Sequence, residues 1–401
     1  MNRLRIALVA EALDTGLAQL VYLLAGGLDR RGHDVHLLHS RDRTDPEFLH
    51  RLRDQSGVRC RAIDMVRSVH RTDFTACLTI RRYLKDQGPF DIVHGHSSKG
   101  GALARLAGIG LPGARIYTPH AFYTLSPDLA PATRFAFRSI ERALAQLCAT
   151  VICSSALERR HAELLGIAAK RLAIVPNAIE PPIIAPAARD RFGFGPGDFF
   201  IVGFVGRLEH QKAPDILLKA AAQAAKKNSA LRLVMIGDGH LEGSLKALSA
   251  SLGMGDRVAW LGRQPSVHYL ASFDMLAMPS RYEGFSLMPL EAMYASLPIV
   301  CTPVGGIAEA VLDGVTGLIV PIDDTEALSA AILAVANDPR RRRVLGDTAR
   351  DRADLFLPDR LIAATEKIYL EALDRAAPAE AGNITIGAAA HNIHRTPERI
   401  P

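Results

Sequence analysis

The sequence lacks any run of about 18 apolar residues, so no membrane-spanning helix is expected. It is also poor in cysteine. Cys60, Cys77, Cys148, Cys153 and Cys301 are odd in number and include no CxxC pair. This argues against a disulfide scaffold or a zinc site and fits a reducing, cytoplasmic compartment. A cleavable leader is not expected. Arg3 and Arg5 precede an apolar stretch, but it is short and meets Glu11 and Asp14, so it reads as a first β-strand.

With 401 residues and 48% hydrophobic content, the chain is too long for one ordinary core and long enough for two. Charged residues at 22% mark it as globular. The charge is uneven. Residues 1–180 carry 25 Lys and Arg against 17 Asp and Glu, and the rest carry 23 against 25. The basic half can face an anionic partner or simply be a solvated Arg-rich surface. No nucleic-acid partner is expected.

Short apolar runs alternate with helical patterns. Arg5–Val9, Asp34–Leu38, Asp91–His94, Arg115–Thr118 and Thr150–Cys153 read as strands, with amphipathic stretches such as Ala18–Arg30 and Gly101–Ala107 between them. The pattern breaks at Pro176-Asn177 and the proline-rich segment around Pro181, Pro182 and Pro186. It restarts with Phe199–Val205, Arg232–Ile236, Arg257–Trp260, Met275–Ala277, Pro298–Cys301 and Gly317–Val320. Alternation of this kind implies βαβ units and parallel sheets. The predicted fold is α/β, with two Rossmann-like domains facing across a cleft: residues 1–180, then 181–358. A helix over 359–375 follows, then a tail from 376 to 401 whose composition suggests disorder. The sequon Asn383-Ile384-Thr385 has no meaning in a cytosolic chain.

In the second half, strand Phe199–Val205 runs into Gly206-Arg207-Leu208, with Lys212 five residues beyond Arg207. Gly206 permits close backbone approach, and two cations on one loop suit a diphosphate leaving group. By themselves they read more readily as two solvated cations on a loop. The segment Glu283-Gly284-Phe285-Ser286-Leu287 is predicted to be a turn into a helix beginning near Ser286, whose free N–H groups favour an anion. Glu283 would reach the substrate from the loop. Glu291, one to two turns into the helix, would hold a ribose diol.

Together, Glu283 to Glu291, Gly206-Arg207 with Lys212, Ile236-Gly237-Asp238-Gly239, and Pro303-Val304-Gly305-Gly306-Ile307-Ala308-Glu309 resemble the motifs of retaining glycosyltransferases of family 4. The resemblance covers roughly residues 1–375 and is most specific in the second half. It implies the GT-B fold, a nucleotide-sugar donor as substrate, and neither a cofactor nor a catalytic metal. Arg263, after Trp260-Leu261-Gly262, falls where the base pocket should be, and UDP is the commoner donor class.

The first half matches more loosely. The family's Gly pair after the first strand reads Asp14-Thr15-Gly16 here, with Gly16 able to open the phosphate-facing helix. His120, in Tyr117-Thr118-Pro119-His120-Ala121-Phe122, looks like the family's strand-end histidine facing the donor sugar, although taken alone it could be a core histidine. His94-Gly95-His96 invites a metal reading with His120, rejected because no carboxylate or cysteine sits at ligand spacing. His96 and Ser97 are expected to line the acceptor side.

The implied reaction is hexosyl transfer with retention, with catalytic roles for His120, Glu283, Arg207 and Lys212. Front-face transfer and double displacement both stay open. The helical pattern over Thr133–Leu147, flanked by arginines, can face a core or lie on an anionic bilayer. With the basic first half it suggests a lipid-linked or envelope-polysaccharide acceptor at the inner membrane face. Two other classes remain open: a nucleotide-sugar epimerase or phosphorylase of the same fold, and a non-catalytic nucleotide-sugar-binding protein. For the phosphorylase, no clear pyridoxal lysine is present.

Overall fold

The computed structural model describes residues 3–13, 16–66, 68–127 and 129–376. The calls on Asp14, Thr15 and the tail beyond Ala376 lie outside the described residues.

The first parallel sheet contains β1 (Arg5–Ala10), β2 (Asp34–Ser40), β3 (Arg59–Ile63), β4 (Ile92–His96), β5 (Ala114–Thr118), β6 (Thr150–Cys153) and β7 (Leu172–Ile174). Their order across the sheet is β3-β2-β1-β4-β5-β6-β7. The second contains β8 (Phe200–Val205), β9 (Leu231–Ile236), β10 (Val258–Trp260), β11 (Met275–Met278), β12 (Ile299–Cys301) and β13 (Gly317–Ile319), in the order β10-β9-β8-β11-β12-β13. All recorded pairings between these strands are parallel. The chain direction across each sheet therefore reverses once, between β1 and β4 and again between β8 and β11. Loops leaving such a pair part to opposite faces and open a crevice at the strands' carboxyl ends.

The helices around the first sheet are α1 (Gly16–Arg30), α2 (Pro46–Gln55), α3 (Thr72–Asp86), α4 (Ser97–Ala107), α5 (Pro131–Ala145) and α6 (Ala156–Leu164). Those around the second are α7 (Pro214–Ala225), α8 (Glu242–Ser251), α9 (Met288–Tyr294), α10 (Ile307–Ala310), α11 (Thr325–Ala336) and α12 (Pro339–Ala353), before a last helix, α13 (Pro358–Ala376). Interior strand residues such as Ile6, Leu8, Ile92, Val202, Leu233 and Ile299 are fully or almost fully buried. That is why these runs read as continuous apolar segments rather than alternating ones.

Several expectations are corrected. The strand expected to end at His94 continues to His96, and its helix begins at Ser97 rather than Gly101. Glycine makes this possible: a Cβ on Gly101 would lie 2.2 Å from the Tyr117 ring, so α4 rests directly on the sheet and carries Ser97 to the end of β4. The helix expected near Ser286 begins at Met288, which puts Glu291 in its first turn rather than one to two turns in. The segment Thr133–Leu147 is not core-facing. Only Glu141 and Ala145 of α5 are buried, while Phe135 is 72% and Ile140 50% exposed.

Helix α13 crosses back and completes the first core. A Cβ on Gly27 of α1 would lie 2.1 Å from Ile362 Cδ1, and Ile362, Tyr369 and Ala372 are buried among first-domain residues. The carboxylate of Glu366 accepts from Arg31 at 2.6 Å and pairs with His33 at 2.9 Å. This network holds its pKa below the usual range despite the opposing effect of burial.

Candidate active site between two switch points

The two reversals face each other. At the second, β8 delivers Gly206 and Arg207, and β11 delivers the loop from Ser280 to Leu287. Lys212, on the loop after β8, forms an ion pair with Glu283 that is largely shielded from solvent. Glu283 also accepts from Ser280 Oγ at 2.9 Å and from Gln211 Nε2 at 3.4 Å. Gln211 in turn accepts from Arg207 at 2.9 Å and donates to the Tyr282 carbonyl at 3.1 Å. Arg207 is half-exposed and also pairs with Glu209 at 2.6 Å. Arg281 clamps the two loops together, donating in bidentate fashion to Asp215 at 3.1 and 3.0 Å and to the His210 carbonyl at 2.8 Å.

The structure therefore brings Arg207, Lys212, Glu283, Gly284, Phe285, Ser286 and Leu287 together, but redistributes their work. Glu283, expected to reach the substrate from the loop, is held by Lys212 and Ser280. A buried carboxylate with such partners is fixed in position. Glu291 lies on the far side of the α9 start, where it accepts from Ser266 Oγ. Burial raises its pKa, and the Ser266 hydrogen bond opposes that rise. Arg263 is exposed on the loop after β10, in the same stretch as Ser266. It does not join the Lys212–Glu283 group.

At the first switch point, β4 ends at His96, and Pro119 and His120 follow β5. Gly16 opens α1 opposite the second domain, and a Cβ there would lie 3.5 Å from Leu287 Cδ1. His120 meets the second domain directly: a Cβ on Gly284 would lie 2.6 Å from the His120 carbonyl oxygen and 2.8 Å from Ala121 Cβ. Only glycine permits that approach. Asn177, at the crossing between domains, donates to the Phe285 carbonyl at 3.1 Å. Glu309 of α10 accepts from the Ala156 backbone N–H at the start of α6.

His96 Nδ1 and His120 Nε2 are 3.0 Å apart. The His94 ring lies tilted against that of His96 with centroids 4.0 Å apart, and its own nitrogens are satisfied by Tyr369 Oη at 2.7 Å and Thr118 Oγ1 at 2.8 Å. Burial depresses all three imidazoles: His94 to about 3, His120 to about 4, and His96 well below its ordinary value. All three are neutral near pH 7. Among the described residues, no three His, Cys, Asp or Glu side chains converge as metal ligands. Close by, Glu11 accepts from Arg43 at 2.7 Å, and Lys99 donates to both oxygens of Asp73 at 2.7 and 2.9 Å.

Sequence reasoning missed Ser280, Gln211, Arg281 and Ser266. Ser280 and Arg281 lie three and two residues before Glu283, and Gln211 lies next to Lys212, so proximity was the available signal. Ser266 carried none.

Residues 188–352 match the family described as glycosyl transferases group 1, and residues 15–178 match a glycosyl transferase 4-like domain. A protein of Saccharomonospora viridis named D-inositol 3-phosphate glycosyltransferase is 30% identical over 321 residues, covering 75% of this chain and 74% of that protein. A Kineococcus radiotolerans protein of the same name is 29% identical over 90% of this chain and 92% of its own length. Among solved structures, Anabaena HepE in complex with UDP superposes with a TM-score of 0.77 at 18% identity, covering 92% of this chain and all of that one. Sucrose-phosphate synthase of Thermosynechococcus elongatus does so with 0.77 at 22% identity, covering 94% and 100%. These likenesses show that the two-domain arrangement is the GT-B fold.

Proposed function

The chain belongs to the group 1 glycosyl transferases of family 4, and from that premise we propose that it moves a hexose-type sugar, with retention, from a UDP-sugar to a lipid-linked or envelope-polysaccharide acceptor. The observation that carries the donor half is the contact between the two switch points at Gly284. It brings a charge-bearing loop with Arg207 and Lys212 against the neutral imidazoles of His96 and His120. Arg207, Lys212 and the backbone N–H groups preceding α9 would carry the charge of the departing diphosphate, without a metal. Glu291 would anchor the ribose. The leaving phosphate oxygen would take the acceptor proton on the face where the new bond forms. UDP as the nucleotide is supported by the UDP and UDP-glucose complexes of HepE.

The acceptor half rests on α5 and α6. Phe135, Ile140, Leu157 and Leu164 are exposed, with Arg134, Arg138, Arg142 and Arg160 also exposed or partly exposed on the same two helices. A groove bordered by Leu157, Arg160 and Leu164 on one side and by Tyr282 and Val304 on the other leads from this face to Glu283. Aromatic and aliphatic side chains interleaved with arginines suit the surface of an anionic bilayer. No described helix is long and apolar enough to cross a membrane. The names of the curated relatives favour a second reading, a small phosphorylated polyol as acceptor.

Donor hydrolysis across a panel of nucleotide sugars tests the first half, with UDP release above background from one UDP-hexose expected. No turnover or binding of any nucleotide sugar would overturn it. Flotation with phosphatidylglycerol vesicles tests the second. Association that falls on Phe135→Ser or Arg138→Glu supports the membrane-linked acceptor, whereas lipid-independent transfer to inositol phosphate supports the small one.

A further inference from the structure

Two neutral imidazoles hold two protons among four nitrogens. In the His96–His120 pair, the 3.0 Å bond between Nδ1 and Nε2 uses one proton and one lone pair. One proton and one lone pair remain for the two outer nitrogens, His96 Nε2 and His120 Nδ1. Both of these atoms are buried and have no hydrogen-bond partner, and neither does the adjacent Ser97 Oγ. Buried polar atoms are seldom left so, and three on the ends of two adjacent strands point to a ligand that supplies the missing bonds. His96 itself is 2% exposed. His94 cannot satisfy them, because both of its nitrogens are engaged.

The backbone supports the same reading. Ser97, His120 and Ala121 have φ of 61°, 57° and 126°, three of the six non-glycine positive-φ residues among those described. Left-handed backbone at side-chain-bearing residues persists where surrounding structure enforces it, and it clusters at ligand sites. Here it occurs where the adjacent strands β4 and β5 end, at Ser97 directly after β4 and at His120 and Ala121 after β5, with His120 and Ala121 beside Gly284.

We propose that His96 and His120 act as one hydroxyl-recognition unit, presenting one donor and one acceptor to a pair of sugar hydroxyls, with His96 the positioning residue that sets which tautomer of His120 meets the ligand. If His96 Nδ1 donates, His120 Nδ1–H is the outer donor and His96 Nε2 the acceptor. If His120 Nε2 donates, the two roles exchange. A sugar diol can accept from one ring and donate to the other in either state, and Ser97 Oγ, able to do both, follows. The unit discriminates against a ligand that offers two acceptors or two donors. This inference rests on the sugar-transfer reading above.

Two measurements test it. In protein carrying 15N-labelled histidine at pH 7, the His120 nitrogens should report a neutral ring whose tautomer balance shifts when UDP-glucose is added and not when UDP is added. In His96→Leu the His120 nitrogens should settle in one tautomer that UDP-glucose leaves unchanged, whereas His96→Asn, which keeps an amide near the Nδ1 position, should restore the coupling. Kinetically, His96→Leu should lower kcat/KM for UDP-glucose by roughly tenfold to a hundredfold, the loss of one or two buried hydrogen bonds, with UDP affinity unchanged. His96→Asn should recover part of that loss. Identical His120 spectra in wild type and His96→Leu, or equal losses in the Leu and Asn variants with parallel loss of UDP affinity, would overturn the proposal. The sugar-free spectra read the coupling even if no UDP-sugar is turned over, so a failed donor assignment is distinguished from a failed histidine pair.

Discussion

The two sheets reverse direction in the same way, yet the groups they deliver at the reversal are opposites. The second presents charge already paired inside the protein: Lys212 with Glu283, Arg207 with Glu209, and Arg281 with Asp215. The first presents neutral rings with free nitrogens, while its nearby charges, Glu11 with Arg43 and Lys99 with Asp73, are paired off to the side. A switch point supplies geometry only; the side chains decide the chemistry. On the function proposed above, one wall would hold a developing negative charge and the other would count hydroxyl groups. A reaction that separates a diphosphate from a sugar needs both within one crevice.

The largest test of this division removes the charged wall's central cation. Lys212→Met leaves Glu283 buried without its partner and takes a positive charge from the leaving group. We expect kcat to fall by about 10²–10³, with substrate affinity far less changed. Arg207→Ala should cost several kcal/mol of transition-state binding on the same scale. Near-normal turnover in either variant would abolish the distinction between the walls.

A second test forces the walls apart. In Gly284→Ala the added methyl meets the His120 carbonyl and Ala121 Cβ well inside contact distance. The closed arrangement should become inaccessible, kcat should drop by roughly 10²-fold, and small-angle scattering with UDP bound should show a larger radius of gyration than wild type. Gly243→Ala in α8 is the control: nothing lies within 4 Å of its added methyl, so activity should be retained.

Acidification probes the neutral wall. His94 and His120 titrate at about 3 and about 4 when folded, against 6.5 when unfolded. Between pH 6.5 and 4 the unfolded chain therefore binds more protons, and stability falls as pH falls, by about 1.4 kcal/mol per pH unit for each such histidine. The raised carboxyls of Glu291 and Glu309 act in the opposite sense, because their folded forms take up protons first. Hydrogen exchange at pH 5 should thus show protection lost in β4 and β5 before β8 and β11. Equal loss in both sheets would remove the electrostatic difference between them. The smallest effect is reserved for Arg263→Ala, where an exposed side chain outside the charged cluster should alter UDP affinity by less than about 1 kcal/mol.

The contrast also explains what could be read from the residues alone. Interior strands were legible because parallel strands buried on both faces are unbroken apolar runs. β3 and β7 were not: they form the sheet's edges, and β3 reads Arg59-Cys60-Arg61-Ala62-Ile63 with its arginines outward. The charged wall was legible as loop motifs, but its pairings were not. Lys212 and Glu283 are 71 residues apart, and Glu291 and Ser266 are 25 apart. Nothing local makes a cation prefer a carboxylate over a phosphate. His120 was visible as a strand-end residue. The bond from His96 was not, because it depends on α4 packing close enough to shorten the β4–α4 junction to nothing. The α5 face ran against the commoner expectation for an amphipathic helix, since none of the described residues forms a second layer over it.

The position of α13 has a consequence for how the molecule is assembled. Tyr369, Ile362 and Glu366 finish a core whose first strand is Arg5–Ala10, so every residue of the second sheet is made before the first can close. In topological terms the second domain is an insertion between the body of the first and its last helix. During synthesis the groove at Gly27 and the ring of His94 stay uncovered until some 360 residues have emerged. The core that is begun first is therefore the one completed last.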